Sequence, residues 1–93
     1  MSTAYWQKRD SAKKYIAVGL RGMLIDRYLD VPVIVLRNSA DKIRADNKSF
    51  VKELLKNFDC EDLNVTWQTS FEFKLDEDGT AVVSDFTIIV EVT

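Results

Sequence analysis

The chain has 93 residues, of which 46% are hydrophobic and 30% are charged, and its formal net charge is −2. This length and composition predict a single α+β domain over residues 1–93, and the lack of a long apolar run and of a signal-peptide pattern predicts a cytoplasmic protein. The chain has no histidine and a single cysteine, Cys60, so it lacks the commonest general base, the Cys–His nucleophile pair and a cysteine cluster for zinc. We therefore expect a protein that is not an enzyme and that holds neither a cofactor nor a metal.

The charges are distributed unevenly along the chain. Residues 1–58 carry twelve Lys or Arg against six Asp or Glu, whereas residues 59–93 carry one Lys against nine Asp or Glu. The two halves either neutralise each other within one fold or present a dipolar surface. A dipolar surface would favour self-association or an oriented approach to a charged partner.

The first predicted element is a helix from Thr3 to Leu29, capped by Ser2 or Thr3. Its apolar line contains four residues at helical spacing: Ala12, Ile16, Leu20 and Met23. Gly19 and Gly22 interrupt this pattern, and each costs about 1 kcal/mol relative to alanine in a helix. The pair indicates either a close approach by another element or a break in the helix.

The segment around these glycines, from Ala17 to Ile25, resembles the Gly-x-x-Gly core of KH RNA-binding domains. In that family the loop between two helices clamps a nucleic-acid backbone. The resemblance implies a loop at Gly19 to Gly22 and a contact with RNA. It covers nine residues, and the surrounding order of elements departs from the family pattern.

A short strand and a second helix are predicted next. Val31 to Leu36 is an apolar, β-branched run, typical of a strand buried on both faces, with Pro32 near its start. Helical character is weak over Ala40 to Ala45. It is stronger from a cap at Asp46 or Asn47 to Phe58.

The last third of the chain predicts a long β-hairpin from Leu63 to Val92. Apolar residues alternate with polar ones on both strands, and Asp78-Gly79 is a strong turn signal. A two-residue turn there pairs Val65 with Val92, Trp67 with Val90, Phe71 with Phe86 and Leu75 with Val82. It also sets Glu72 opposite Asp85, an unfavourable pair of like charges. A four-residue loop, Asp76 to Gly79, would instead pair Glu72 with Val83, and the sequence does not choose between the two.

The predicted order is therefore helix, strand, helix, strand, strand. A small, mostly antiparallel sheet would carry both helices on one face. The core would bring five hairpin residues against four helix residues: Trp67, Phe71, Phe73, Phe86 and Ile88 against Ile16, Leu20, Phe50 and Leu54. A hairpin of this length also predicts that its tip extends past the body or that its strands bend.

The outer hairpin face predicts a protein interface. It is mildly apolar and comprises Thr66, Gln68, Ser70, Val83, Thr87 and Ile89. The order of elements is similar to that of small bacteriophage tail-terminator and connector proteins, which form rings. The resemblance implies a homo-oligomer of a virion, and inhibition of a host protein is a related possibility.

The alternative function is nucleic-acid binding through basic helix residues. The candidates are Lys8, Arg9, Lys13, Lys14 and Arg21 on the first helix and the stripe Lys48, Lys52 and Lys56 on the second. This alternative predicts an affinity that falls steeply with salt concentration. The acidic half of the chain opposes it, because carboxylates repel phosphates.

Overall fold

The computed structural model describes residues 3–93, with side chains from residue 5 onward. Over this part of the chain, three helices precede a hairpin: α1 Thr3–Tyr28, α2 Val33–Asn38, α3 Ala40–Asn57, β1 Val65–Leu75 and β2 Ala81–Val92. The strands pair antiparallel in a two-stranded sheet. The α+β class and the C-terminal hairpin are thus confirmed. The predicted cap at Ser2 lies outside the described residues, and Thr3 is already the first residue of α1.

Helix α1 packs against β2 through one apolar stripe. Its fully buried residues recur every four positions: Ala12, Ile16, Leu20 and Leu24. This spacing places all four on one side of the helix. Met23, predicted to complete the stripe, lies partly buried beside it.

Helix α1 continues without a break through Gly19 and Gly22, so the loop implied by the KH resemblance is absent there. A methyl group on Gly19 would lie 3.1 Å from Leu54 Cδ1 and 3.5 Å from Phe50 Cε1. Gly19 therefore permits the close approach of α3. The same contact continues at Tyr15, whose ring stacks on Phe58 with centroids 4.3 Å apart.

The predicted strand Val31 to Leu36 is wrong. Residues 33–38 form α2, in which Val33 and Leu36 are buried while Ile34 is 61% exposed. The segment does approach the sheet: Asp30 N–H donates to the Val83 carbonyl, and Val83 N–H donates to the Val31 carbonyl. Pro32 has no N–H with which to extend this pairing, and its φ of −56° suits the start of a helix.

Helix α3 is one continuous helix from Ala40 to Asn57, so the weak N-terminal part of the prediction is helical. The cap is Ser39, and neither Asp46 nor Asn47 is a cap. Because α3 begins at Ala40, Asn47 lies inside the helix, on its apolar side and four residues before the buried Val51. Asn47 is consequently only 3% exposed.

The hairpin has the predicted register over most of its length. Val65 pairs with Val92, Trp67 with Val90, Phe71 with Phe86, and the like-charged Glu72 with Asp85. Beyond this point the register shifts, so that Leu75 pairs with Ala81 and not with Val82.

Neither of the two predicted turns at the hairpin tip is correct. Gly79, at φ +80°, donates to the Asp76 carbonyl, and Asp76 N–H donates to the Thr80 carbonyl, which is the pattern of a type I turn followed by a glycine bulge.

The register shift is a β-bulge at Ser84. Glu72 and Phe73 are consecutive on β1, but their partners Asp85 and Val83 are separated by the unpaired Ser84 on β2. An extra residue reverses which side chains face the core. Val83 therefore points into the core and is completely buried.

The molecule is elongated, with principal extents of 55 × 21 × 17 Å and a Cα radius of gyration of 15.3 Å. A compact chain of this length has a radius of about 12 Å. The tip accounts for part of the difference, because residues 72–80 are all exposed. The predicted extension of the hairpin past the body is thus confirmed.

Candidate functional site

The outer face of the hairpin is smaller than the sequence predicted. Thr66, Gln68, Ser70, Thr87 and Ile89 are exposed, and the register places Gln68 beside Ile89 and Ser70 beside Thr87. Val83 does not belong to this face, because the bulge turns it into the core. The face that remains is mainly polar, with Ile89, which is 55% exposed, as its large apolar residue.

A more apolar surface lies at the junction of the hairpin tip and α2. Phe73 and Leu75 project from the same side of β1 and are 61% and 67% exposed, and Ile34 of α2 is 61% exposed. Phe73 and Ile34 line one cavity of about 270 Å³, together with Pro32, Arg37 and Ala81. We call Ile34, Phe73 and Leu75 the tip patch. The prediction that Phe73 joins the core is wrong, because the tip extends past the body.

The sequence analysis missed the tip patch for two reasons. Ile34 was assigned to a buried strand, and Phe73 was assigned to the core by its alternation with polar residues. Ile34 and Phe73 are large apolar residues of the kind that usually occupies core positions. Only the tertiary arrangement exposes them.

The second hairpin strand has its free edge covered by α1. Arg21 Nε donates to the Phe86 carbonyl over 3.3 Å, and Arg9 Nε donates to the Val92 carbonyl. Further along β2, the backbone groups of Asp30 and Val31 form hydrogen bonds with the backbone of Val83. These contacts occupy backbone groups that would otherwise be available to another strand.

The free edge of β1 has no such cover. Asn64 and Thr93 exchange two backbone hydrogen bonds, so the alternation of an antiparallel ladder points the backbone groups of Val65, Trp67, Thr69 and Phe71 away from β2. Within residues 3–93, no hydrogen-bond partner reaches these groups from the other side. This edge borders the helix α3 residues Arg44, Asn47 and Lys48.

Three of the predicted nucleic-acid residues hold α1 to the hairpin or to the connection that precedes it. Lys8 Nζ lies 2.8 Å from Asp62 Oδ1, and Arg21 Nη2 lies 2.8 Å from Asp85 Oδ1. Arg9, besides its bond to Val92, lies over the Trp6 ring at 4.8 Å. The remaining candidates are exposed, and the described residues form no ion pair with them: Lys13, Lys14, Lys48, Lys52 and Lys56.

The titration of the charged pairs follows from these contacts. The hydrogen bond from Lys8 lowers the pKa of Asp62, and the same bond raises the pKa of Lys8. Asp85 accepts from the Phe86 N–H and from Arg21, and these two bonds lower its pKa. Arg21 thus neutralises one member of the like-charged Glu72–Asp85 pair.

Cys60 is buried, and its Sγ lies 3.2 Å from the Phe58 carbonyl. Burial is the main cause that raises the pKa of this thiol, and Asp59 and Asp62 add to it while Lys8 opposes it. A buried thiol with a raised pKa is a poor nucleophile.

The hairpin turn contains three consecutive acidic residues, Asp76, Glu77 and Asp78, and the first of them has a structural role. Asp76 Oδ1 accepts hydrogen bonds from the backbone N–H groups of Asp78 and Thr80, each at 2.9 Å. This carboxylate therefore completes the turn. Among residues 3–93, no group of three or more Cys, Asp or Glu side chains is placed to hold a metal ion.

None of the described helices combines the length and the apolar character needed to cross a bilayer. No protein-family model matches the chain, and no curated protein and no solved structure matches it either.

Proposed function

We propose that the chain is a small, non-enzymatic protein-interaction or assembly protein that self-associates through the tip patch. The observation that carries this proposal is the exposure of three large apolar side chains, Ile34, Phe73 and Leu75, of which Ile34 and Phe73 line one cavity. Contiguous apolar surface on a small protein marks an interaction site more often than a scattered apolar residue does. A second copy that covers the patch would remove these side chains from water.

The setting that the resemblance implies is a structural or connector protein of a phage particle, or an inhibitor of a host protein. In either setting the working surface is a protein contact. The proposed role agrees with the absence of histidine from the sequence.

The test is the effect of Phe73→Thr combined with Leu75→Thr on the mass in solution. Threonine suits a strand, and both side chains are exposed, so the fold should persist. Burying one large apolar side chain contributes about 1.5–3 kcal/mol, so the double variant should weaken association at least about a hundredfold. Light scattering over a dilution series measures the change.

Two matched variants identify the interface. Val18→Thr removes an apolar side chain that is 65% exposed on α1, and it should leave the mass unchanged. Ile89→Thr alters the outer face instead. Dissociation by Ile89→Thr, with no effect of the tip variant, would move the interface to the outer face and contradict the tip patch.

The second candidate function is nucleic-acid binding. The five exposed lysines without an ion pair in residues 3–93 favour it: Lys13, Lys14, Lys48, Lys52 and Lys56. The contacts of Arg9 and Arg21 with the hairpin, and of Lys8 with Asp62, weigh against it. Binding of a single-stranded oligonucleotide that is lost on replacing Lys13 and Lys14 by glutamate, and that falls steeply with salt, would establish it.

A further inference from the structure

We infer that the groove between the free edge of β1 and helix α3 binds an extended acidic peptide segment of another protein as an added strand. This inference rests on the proposed protein-interaction function and names a second surface, separate from the tip patch. It concerns the one hairpin edge in residues 3–93 that neither α1 nor the segment at Asp30 covers.

The first observation is the row of unpaired backbone groups on β1. The N–H and C=O groups of Val65, Trp67, Thr69 and Phe71 point away from β2 and meet no partner in the described chain. Strand addition satisfies such groups with main-chain hydrogen bonds, while alternate side chains of the added strand enter pockets. The Arg9 and Arg21 contacts on β2 show how this protein closes an edge, and β1 has no equivalent.

The second observation is the space beside this edge. An open groove of about 610 Å³ lies between Trp67, Gln68 and Thr69 on the strand and Arg44, Asn47 and Lys48 on α3. It adjoins a cavity of about 170 Å³, because Arg44, Asn47 and Thr69 line both. The cavity walls are largely apolar and include Leu24, Leu36 and Ile43. A cavity of about 150 Å³ holds a benzene molecule, so this one accepts a single aliphatic or aromatic side chain.

The third observation is the amide of Asn47. This residue is 3% exposed, and its Oδ1 accepts no hydrogen bond from the described residues. A buried acceptor without a donor costs about 1–3 kcal/mol. Since Asn47 lines both the groove and the cavity, a donor on a bound segment would satisfy it there.

The charge of the groove selects the occupant. Arg44 and Lys48 are exposed along it; Arg44 contacts the exposed Asp41, and Lys48 has no ion pair in residues 3–93. Carboxylates of a bound segment would complement both. A second copy of this chain fits less well, because a twofold axis through β1 would bring Arg44 and Lys48 against the same residues of that copy.

The probe is the blocked peptide acetyl-Thr-Glu-Thr-Leu-Thr-Glu-Thr-amide. Its sequence is symmetric about the leucine, so it can pair with β1 in either direction. The leucine should enter the cavity, and the two glutamates should contact Arg44 and Lys48. Trp6→Phe leaves Trp67 as the sole tryptophan, and Trp67 lines the groove. Fluorescence titration of this full-length variant should saturate, and the same peptide with lysine for glutamate, or N-methylated at alternate residues, should not bind.

Two protein variants distinguish the site from a general effect. Lys48→Glu should weaken peptide binding about tenfold, because it converts an attraction into a repulsion. Asn47→Leu should also weaken binding, yet it should raise the melting temperature by removing the unsatisfied amide. A purely structural asparagine would not give this opposite pair of changes.

The outcomes separate this inference from the proposed self-association. The Phe73→Thr, Leu75→Thr variant should lose association and retain peptide binding, whereas Lys48→Glu should do the reverse. No saturable binding, or equal binding of the glutamate and lysine peptides, would overturn the groove site whatever the oligomeric state. If a single-stranded oligonucleotide displaces the peptide, and if it still binds the Asn47→Leu variant, the groove would be assigned to nucleic acid instead.

Discussion

At the scale of single residues, Gly19 and Gly22 occupy different surroundings on the same helix. A methyl group on Gly19 would press on Leu54, whereas nothing lies within 4 Å of the position that a methyl group on Gly22 would take. Gly22→Ala should therefore raise the free energy of unfolding by about 1 kcal/mol, the difference in helix propensity. Gly19→Ala should gain less, because Leu54 must move. Urea denaturation of both variants measures the difference, and a larger gain for Gly19→Ala would contradict the close contact between α1 and α3.

The carboxylates of Asp62 and Asp85 make the stability depend on pH. In the folded state, hydrogen bonds hold the pKa of both carboxyl groups below that of a free aspartate side chain. A lowered folded pKa contributes stability that is present above the unfolded pKa and is lost as the pH falls through the folded one. We expect the urea midpoint to drop as the pH falls from about 5 to about 2.

Asp85→Asn should reduce that drop, because the variant no longer loses this contribution on acidification. Glu77→Gln is the matched control, since Glu77 is an exposed turn carboxylate that makes no ion pair within residues 3–93. An equal drop in Asp85→Asn and in the unaltered protein would show that the bonds from Arg21 and Phe86 do not hold in solution.

At the scale of elements, the bulge on β2 decides which residues reach the core. Val83, which the bulge places in the core, is completely buried, and Val83→Thr keeps its shape but introduces a hydroxyl group there. A buried hydroxyl group without a hydrogen-bond partner should lower the free energy of unfolding by about 1–3 kcal/mol. Ser84→Ala keeps the extra residue and should change stability by less than about 0.5 kcal/mol. Equal unfolding midpoints for Val83→Thr and for Ser84→Ala would contradict the core position that the bulge gives Val83.

The elements that the sequence predicted well are those with long, regular patterns. The helix from Thr3 and the register from Val65–Val92 to Phe71–Phe86 follow from periodicity, because a slip of one residue would expose every apolar side chain. The bulge at Ser84 escaped prediction because Val82 and Val83 are both apolar, so either could face the core.

The run Val31 to Leu36 failed for a different reason. A short β-branched segment has no period that separates strand from helix, and the decision depends on tertiary contacts. Within this run the backbone pairs with β2 only as far as Pro32, and beyond that point the chain turns into α2. The tip patch and the groove both depend on this outcome. Helix α2 contributes Ile34 to the tip patch and Leu36 to the cavity that adjoins the groove.

At the scale of the whole molecule, the charge asymmetry is partly cancelled inside the fold. Lys8–Asp62 and Arg21–Asp85 join the basic half to the acidic half, and Lys74 lies 3.3 Å from Asp30 in the opposite sense. The interpretation in which the two halves neutralise each other is therefore supported at these contacts. Self-association through the tip patch would then be apolar in origin and insensitive to salt.

The most direct test is the mass of the full chain in solution, by size-exclusion chromatography with light scattering at low and at high salt. We predict a discrete oligomer at both salt concentrations, which Phe73→Thr with Leu75→Thr converts to monomer and Val18→Thr does not. A monomer at both salt concentrations, at every protein concentration tested, would contradict self-association. An oligomer that dissolves in high salt would instead assign the contact to the basic and acidic halves of the chain.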